Sequence, residues 1–209
     1  VASALGADGA DVIFTSGATE AAALALAGKG LVGAGIEHDA VSSWIEATCP
    51  TDENGLVSLL DPANSVLQLA NSETGVVQDL PTGLTGSDVT QAFGKIPFSF
   101  NWLGCTFALV SAHKLGGPKG VGALVVRRGT DIAAQLKGGG QEMGRRAGTE
   151  NIVGIAGFGA AAEAAAQDLA NGEWDNVNQL RDFFESYIED AANDVIFLGQ
   201  SVKRLPNTS

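Results

Sequence analysis

Cysteine, aromatic and basic residues are all scarce in this 209-residue chain. Its two cysteines, Cys49 and Cys105, are too few for a disulfide scaffold, and neither lies in a CxxC or a Cys/His metal spacing. The 12 lysines and arginines face 24 aspartates and glutamates, and the resulting net charge of −12 argues against non-specific binding to nucleic acid or to an anionic membrane surface. No apolar run reaches the roughly 18 residues that a transmembrane helix needs.

The low cysteine count also favours a reducing compartment, of which the cytoplasm is the simplest. No basic-then-apolar leader opens the chain. The chain starts at Val1 rather than at a methionine and ends on residues 205–209 with no obvious stop, so we expect both ends to have been cut.

Glycine, in contrast, is abundant. The 28 glycines are about twice the ordinary share of roughly 7%, and no Gly-X-Y period or low-complexity tract accounts for them. This excludes a collagen-like chain and simple disorder. We therefore expect a folded protein in which many tight turns or close backbone approaches require glycine.

The order of the apolar segments predicts an α/β fold. An apolar run at 11–14 breaks into a polar turn at 15–19 and continues as a helical pattern to about residue 27. The remaining segments predict strands at 31–36, 66–70, 107–110 and 122–126, the last two being antiparallel neighbours, and helices at 41–47, 151–170 and 176–190, the last with Leu180, Phe183, Phe184 and Tyr187 on one side. Polar residues follow strand after strand at the carboxyl edge, where ligands bind in open α/β sheets.

Two of these strand ends carry residues that suit a phosphate or a reactive amine. The turn at 15–19 could hold a phosphate with its N–H groups and hydroxyls, or Ser16 or Thr19 could simply cap the helix. Lys114 lies beside Ser111 and His113 and before a Gly/Pro-rich stretch. That setting suits a buried amine that bonds covalently to a carbonyl ligand, although a solvated lysine in a surface turn fits the composition as well.

Three further segments are open to two interpretations each. Asp88 could cap a helix or pair with a protonated heterocycle, and His38 could be a core imidazole or could stack on an aromatic cofactor. The glycine-rich segment 138–151 could be a flexible loop. It could also be a second anion-binding segment, because Arg145, Arg146 and Thr149 can all donate to phosphate or carboxylate.

Taken in order, these motifs resemble the cysteine desulfurases, within the class V aminotransferase family of fold-type I pyridoxal-phosphate enzymes. The match covers most of residues 10–170, and its most specific parts are SAHKLGGPKGVGAL at 111–124 and GGGQEMGRRAGTEN at 138–151. The resemblance implies a three-layer α/β fold with a mostly parallel sheet flanked by helices. It also implies pyridoxal 5'-phosphate as the cofactor.

The resemblance further implies a role for each matching residue. Lys114 would bind the cofactor covalently and move protons, and His38 would stack on the pyridine ring. Asp88 would pair with the ring nitrogen, Gln91 would contact the phenolic oxygen, and Ser72 stands near the cofactor where the family usually has a second asparagine. The phosphate would be held by Ala18, Thr19, Ser111 and His113, and by Thr149 from the neighbouring subunit.

The implied reaction converts L-cysteine to L-alanine and transfers sulfur to an enzyme cysteine. The implied partners are a second copy of the chain in a homodimer and a sulfur-acceptor or scaffold protein, as in iron–sulfur cluster assembly. Two other functions stay open: another class V aminotransferase or lyase, and a non-catalytic module that keeps the fold for binding or dimerisation.

The chain departs from the family pattern at its ends. The sulfur-accepting cysteine and the arginine for the substrate carboxylate lie, in the family, beyond a segment resembling residues 205–207. Neither Cys49 nor Cys105 matches the nucleophile's position. We therefore expect residues 1–200 to be an incomplete large domain, residues 201–209 to begin a truncated small domain, and the chain alone to be inactive in sulfur transfer.

The interior of the chain is also short against the family. The stretches from 19 to 38, from 38 to 71 and from 72 to 88 all look abbreviated. Residues 79–88 leave no room for a crossover helix plus a strand, since a parallel connection needs about a dozen residues or more.

Overall fold

A mixed four-stranded sheet lies at the centre of the protein, for which the computed structural model describes all 209 residues. Its strands are β1 (Asp11–Thr15), β4 (Gly86–Asp88), β5 (Phe107–Ser111) and β6 (Gly122–Val126), in the order β1-β6-β5-β4. Strands β4 and β5 are parallel, and β6 is antiparallel to both β5 and β1. Three of the four strands therefore run in one direction, and the predicted antiparallel pairing of 107–110 with 122–126 is confirmed.

A second, two-stranded sheet continues this arrangement. It pairs β2 (Val32–Ala34) in parallel with β3 (Glu46–Cys49). Residues 65–70 lie between the two sheets: the Val66 N–H donates to the Val32 oxygen at 2.9 Å, and the Leu69 N–H donates to the Asp88 oxygen at 2.8 Å. The strand predicted at 66–70 is therefore an extended segment joined by isolated bridges rather than a continuous strand.

The helices are α1 (Ala18–Leu26), α2 (Asp39–Ser42), α3 (Phe100–Leu103), α4 (Ile152–Ala170) and α5 (Glu173–Ala191). The predictions at 18–27, 151–170 and 176–190 are confirmed, whereas the helix predicted at 41–47 is wrong. Helix α2 stops at Ser42, where the Ser43 hydroxyl donates to the Asp39 oxygen at 2.7 Å. Such local hydrogen bonds compete with helix continuation, and residues 46–49 instead pair with β2.

Helices cover both faces of the central sheet. Leu109 and Leu124 pack in one apolar cluster with Ala21 and other residues of α1. Their neighbours along the strands, such as Val110, pack on the opposite face with Phe158 and Ala162 of α4. Because successive strand residues point to opposite faces, β5 and β6 are buried on both sides. The predicted three-layer α/β architecture is thereby confirmed.

The connection between residue 70 and β4 differs from a regular α/β pattern. No helix lies between residue 70 and β4; residues 70 and 77 form an antiparallel bridge, and residue 76 forms one with Arg204. The crossover helix is thus missing as expected, but the strand does form.

On α5, the predicted apolar side is exposed, with Phe183 71% and Phe184 51% accessible. Helix α5 instead holds a buried pair between Glu185 and Arg204, at 2.8 Å. None of the helices combines the length and the hydropathy that a membrane-spanning helix requires.

A contact between two glycines joins the turn after β1 to the start of β6. A Cβ atom on Gly122 would lie 2.6 Å from the Val110 oxygen and 2.7 Å from the Gly17 Cα. No side chain fits between these backbones. The turn at 15–19 is therefore held directly over the carboxyl end of β5.

A buried carboxyl fastens the segment after β2. Glu37 is 6% exposed; its Oε1 accepts the Gln68 N–H at 3.0 Å, and its Oε2 has no hydrogen-bond partner. The Gln68 and Asn71 side-chain amides both donate to the Ile36 oxygen at 3.0 Å. Burial raises the pKa of Glu37 to about 8, with a further contribution from the Asp88 charge.

We predict that Gly122→Ala lowers the unfolding free energy by about 1–3 kcal/mol, because the new methyl group overlaps the Gly17 backbone. Chemical denaturation measures the change. Gly159→Ala on α4 is the matched control: it meets no atom within 4 Å and should raise stability by roughly 0.5–1 kcal/mol. Equal effects of the two substitutions would contradict the close approach.

We also predict a pH effect at Glu37. Its folded pKa of about 8 exceeds the ordinary value of 4.5, so the folded state binds more protons between these values and stability falls as pH rises through the window. The slope from one group is at most about 1.4 kcal/mol per pH unit. Glu37→Gln should remove this decline in urea titrations, whereas Glu46→Gln on exposed β3 should not. A decline as steep in Glu37→Gln as in the unmodified chain would refute the assignment, whereas the part due to the raised pKa of Asp88 should remain.

Candidate active site

A cavity of about 570 Å³ opens at the carboxyl edge of the sheets. This volume is within the range of roughly 300–1,000 Å³ that is typical of small-molecule sites. Nine of the ten predicted site residues line it: Ala18, Thr19, His38, Ser72, Asp88, Gln91, Ser111, His113 and Lys114. The tenth, Thr149, does not.

The strand order explains why residues distant in sequence meet here. Strand β1 leads into the turn at 15–19, and β2 ends shortly before His38. The next two parallel strands end at Asp88 and Ser111 themselves. Since the carboxyl ends of parallel strands share one edge, the polar residues that follow them converge there.

The turn at 15–19 is fixed by a carboxylate from the helix that it starts. The Ser16 N–H donates to Glu20 Oε2 at 2.7 Å, and the N-cap of α1 is Gly17, with no side-chain cap. Ser16 and Thr19 are therefore not the helix cap. The first intrahelical donor of α1 is the Ala21 N–H, which donates to the Gly17 oxygen, so the N–H groups of residues 18 and 19 have no partner in the helix and are available to an anion.

Glu20 also ties this turn to the glycine-rich segment 138–151. Arg146 donates to both Glu20 oxygens, at 2.7 and 3.2 Å. Burial opposes ionisation of Glu20, but the hydrogen bonds from Arg146 and Ser16 outweigh it and lower the pKa of the carboxyl. Arg145 pairs with Asp11 at 2.8 Å. Both arginines therefore form ion pairs within the chain. The anion-binding role considered for them is not observed in this structure.

Thr149 lies in a separate, smaller cavity of about 100 Å³. Ser16 and Gly120 line both cavities, so Thr149 lies next to the main site without facing it. Its side chain is exposed.

Lys114 follows β5 on a short 3-10 helix, Ala112–Leu115. It is exposed rather than buried, because it stands at the open cavity, and its amine has no hydrogen bond or ion pair within the chain. Beside it, the Ser111 hydroxyl and His113 Nδ1 are 3.0 Å apart. Partial burial and the charges of Lys114 and Lys119 lower the pKa of His113, which favours its neutral form.

Asp88 brings a carboxylate to the same cavity. Its Oδ1 accepts the Thr90 N–H at 2.9 Å in a local turn, so Asp88 does not cap a helix, and its Oδ2 makes no hydrogen bond. Burial raises the pKa of Asp88, although the Thr90 hydrogen bond and the charges of His38 and Lys114 oppose the rise. A cationic partner at the free oxygen would favour ionisation.

His38 is exposed at the cavity and is not a core residue. It is the N-cap of α2, where its Nδ1 accepts the Ala40 N–H at 3.0 Å. This bond fixes the ring and leaves Nε2 as the protonated nitrogen of the neutral form.

Six cavity residues outside the turn at 15–19 had no place in the predicted site: Ala40, Gln68, Ala70, Thr90, Lys119 and Gly120. Gln68 lies within an apolar run, where sequence alone gives no signal of a ligand site. Thr90 and Lys119, by contrast, lie within the motifs around Asp88 and Lys114, and their spacing from those residues was an available signal.

Neither cysteine lines the cavity. Cys105 is fully buried, and burial raises its pKa to about 11. Burial likewise raises the pKa of Cys49 at the end of β3. Both thiols are therefore less reactive than an ordinary cysteine, because the thiolate is the nucleophilic form.

Comparison with curated proteins gives consistent relatives. Cysteine desulfurase IscS of Dictyoglomus turgidum is 35% identical over 242 aligned positions, covering 99% of this chain and 61% of that protein. A cysteine desulfurase of Frankia sp. is 40% identical over 218 positions, covering 82% of this chain and 52% of that protein. The chain thus spans about half to three-fifths of the length of these relatives. The first alignment also exceeds the chain's 209 residues, so it contains gaps.

Solved structures agree with these relatives. A NifS-like protein from Rickettsia africae superposes with a TM-score of 0.87 at 28% identity, over 98% of this chain and 65% of that one. Another NifS-like protein gives a TM-score of 0.85 at 30% identity, over 98% and 66%. The family model described as aminotransferase class-V matches residues 52–208. With its three-layer fold and its cavity at the carboxyl edge, the chain belongs to the class V aminotransferase family.

Proposed function

We propose that the chain is the pyridoxal-phosphate-binding large domain of a cysteine desulfurase. The observation that carries the proposal is the meeting of Lys114, Asp88 and His38 with the α1 turn in one cavity. The desulfurase names of the relatives support the choice of reaction within the class V family.

The donor set of the cavity fits pyridoxal 5'-phosphate. Lys114 offers an unpaired amine to an aldehyde, and Asp88 Oδ2 offers an unpaired carboxylate oxygen to a protonated ring nitrogen. The first N–H groups of α1 and the Ser111 hydroxyl suit a phosphate. Two lysines against one carboxylate also make the lining cationic in a chain of net charge −12, which favours an anionic ligand.

When bound, the cofactor would supply an electron sink for the negative charge that develops on the substrate carbon. The protein would hold the cofactor in place, control the protonation of its ring nitrogen and transfer protons. Asp88 would keep the ring nitrogen charged through an ion pair, and His38, fixed by its bond to Ala40, would cover the ring face. Lys114 would hold the cofactor through its amine and afterwards accept and return protons as an amine in the cavity.

The remaining assignments are part of the same proposal. Ala18, Thr19, Ser111 and His113 would hold the phosphate, Gln91 the phenolic oxygen, and Ser72 would lie beside the cofactor. Thr149, exposed beside the cavity, would reach the phosphate site of a second copy in a homodimer. L-cysteine would be the substrate, a sulfur-acceptor or scaffold protein the partner, and the cytoplasm the location.

We also propose residues 1–200 as the large domain and residues 201–209 as the beginning of a small domain. In this chain Leu205 packs into the same apolar cluster as Phe158, and its N–H donates to the Gly75 oxygen at 2.8 Å. The boundary at residue 200 therefore stays a prediction.

We predict that pyridoxal 5'-phosphate mixed with the chain produces a visible absorbance band that Lys114→Ala abolishes, because Lys114 is the cavity lysine whose charge acts on Asp88. Lys119→Ala is the matched control, since this lysine lines the same cavity and should be dispensable for the band. A band that persists in Lys114→Ala would refute the assignment of the covalent lysine.

Sulfide release from L-cysteine tests the reaction itself. Because no cysteine lines the cavity and burial raises the pKa of both thiols, we expect the 209-residue chain to release almost no sulfide. Cys49→Ser and Cys105→Ser should leave that background unchanged. Substantial release that one of these substitutions abolishes would instead identify Cys49 or Cys105 as a sulfur acceptor. Oxo-acid formation from other amino acids would favour the aminotransferase alternative.

A further inference from the structure

Lys95 is a buried lysine without an acidic partner. It is 7% exposed, it follows the cavity residue Gln91 by four positions, and it forms no ion pair. Burial lowers its pKa to about 8, and the positive charge of Lys114 adds to this effect. A buried cation is costly unless it is hydrogen-bonded, so the contacts of its ammonium group are informative.

Both hydrogen bonds of the Lys95 ammonium go to one residue. Nζ donates to the Gln91 backbone oxygen at 2.7 Å and to the Gln91 side-chain Oε1 at 3.3 Å. A lysine ammonium is a donor only, so the atom of the amide that faces it must be the oxygen. This argument fixes the orientation of the Gln91 amide independently of how its two ends are assigned.

The other end of that amide is free. Gln91 lines the cavity, and its Nε2 makes no hydrogen bond within the chain. With the oxygen turned toward Lys95, the NH₂ group is left as a donor for a ligand oxygen. Without Lys95, either end of the amide could face the cavity.

We infer that Lys95 is a positioning residue for the cofactor site: its ammonium holds the Gln91 amide so that the NH₂ group is presented to an anionic oxygen of the ligand. The inference rests on the proposed function for the identity of that ligand. The Lys95 charge acts in the same direction, because a cation behind Gln91 and near Lys114 favours negative charge on the ligand.

The first experiment needs no cofactor. Gln91→Glu places a carboxylate against Lys95, so the buried cation gains a partner, whereas in the Lys95→Met background the same carboxylate is unpaired. In thermal unfolding, Gln91→Glu should lower the melting temperature by at least about 5 °C more in the Lys95→Met background than in the unmodified chain. Equal shifts in both backgrounds would overturn the contact on which the inference depends.

The second experiment uses pyridoxal 5'-phosphate and the Lys114-dependent absorbance band. We expect Lys95→Met to raise the dissociation constant about fivefold to tenfold, in keeping with one lost hydrogen bond to a charged group. Lys95→Met should also raise the pH midpoint, which is the pH at which the band changes by half of its full amplitude. The reason is that a nearby cation and a donor to the anionic oxygen are both lost. In the Gln91→Ala background, Lys95→Met should change the dissociation constant less than about twofold.

The controls separate the possible failures. Lys29→Met, at an exposed position away from the cavity, should change neither the dissociation constant nor the midpoint. If the band forms but Lys95→Met leaves both quantities unchanged, or weakens binding equally with and without Gln91, the inference is overturned and the proposed function stands. Absence of a Lys114-dependent band in the unmodified chain would overturn the proposed function and, with it, the assignment of Lys95 to a cofactor site.

Discussion

The contact between Gly17 and Gly122 sets the geometry on which the site depends. It places the first turn of α1 directly beside the end of β5, and hence beside Ser111 and the residues that follow it. A side chain at residue 122 would force the two backbones apart. The bond from Ser16 to Glu20 and the pair between Glu20 and Arg146 then hold the turn from its other side. The turn at 15–19, held in this way, and Lys114 line one cavity.

The electrostatics of the cavity differ from those of the whole chain. Acidic residues outnumber basic ones by two to one overall, yet the cavity lining holds two lysines, two histidines and one carboxylate. The arginines nearby are neutralised by Asp11 and Glu20, which leaves the lysines as the free cations. A cationic cavity in an acidic surface attracts small anions, which is the electrostatic basis of the proposed cofactor site. The buried Lys95 adds a further positive charge behind Gln91.

Sequence was sufficient for the parts of the site that follow strands. His38 and Lys114 could be placed together because the carboxyl ends of parallel strands meet at one edge. Asp88 was placed only by the family resemblance, since β4, the strand that ends at it, was not predicted. The ion pairs of Arg145 and Arg146 could not be predicted, since their partners lie more than 120 residues away in sequence. The end of α2 was also unpredictable, because pairing of residues 46–49 with β2 is a tertiary contact. The exposure of Lys114 depends on how open the cavity is, which no local pattern encodes.

The covalent attachment of the cofactor to Lys114 is the central claim, and chemical trapping tests it directly. The chain would be incubated with pyridoxal 5'-phosphate, reduced with borohydride and digested, and the modified peptide identified by mass spectrometry. We expect the added phosphopyridoxyl mass on Lys114 alone, with Lys119 and the exposed Lys29 unmodified at a stoichiometric cofactor concentration. Modification spread over the exposed lysines, or absent from Lys114, would contradict the assignment of this cavity as a pyridoxal-phosphate site.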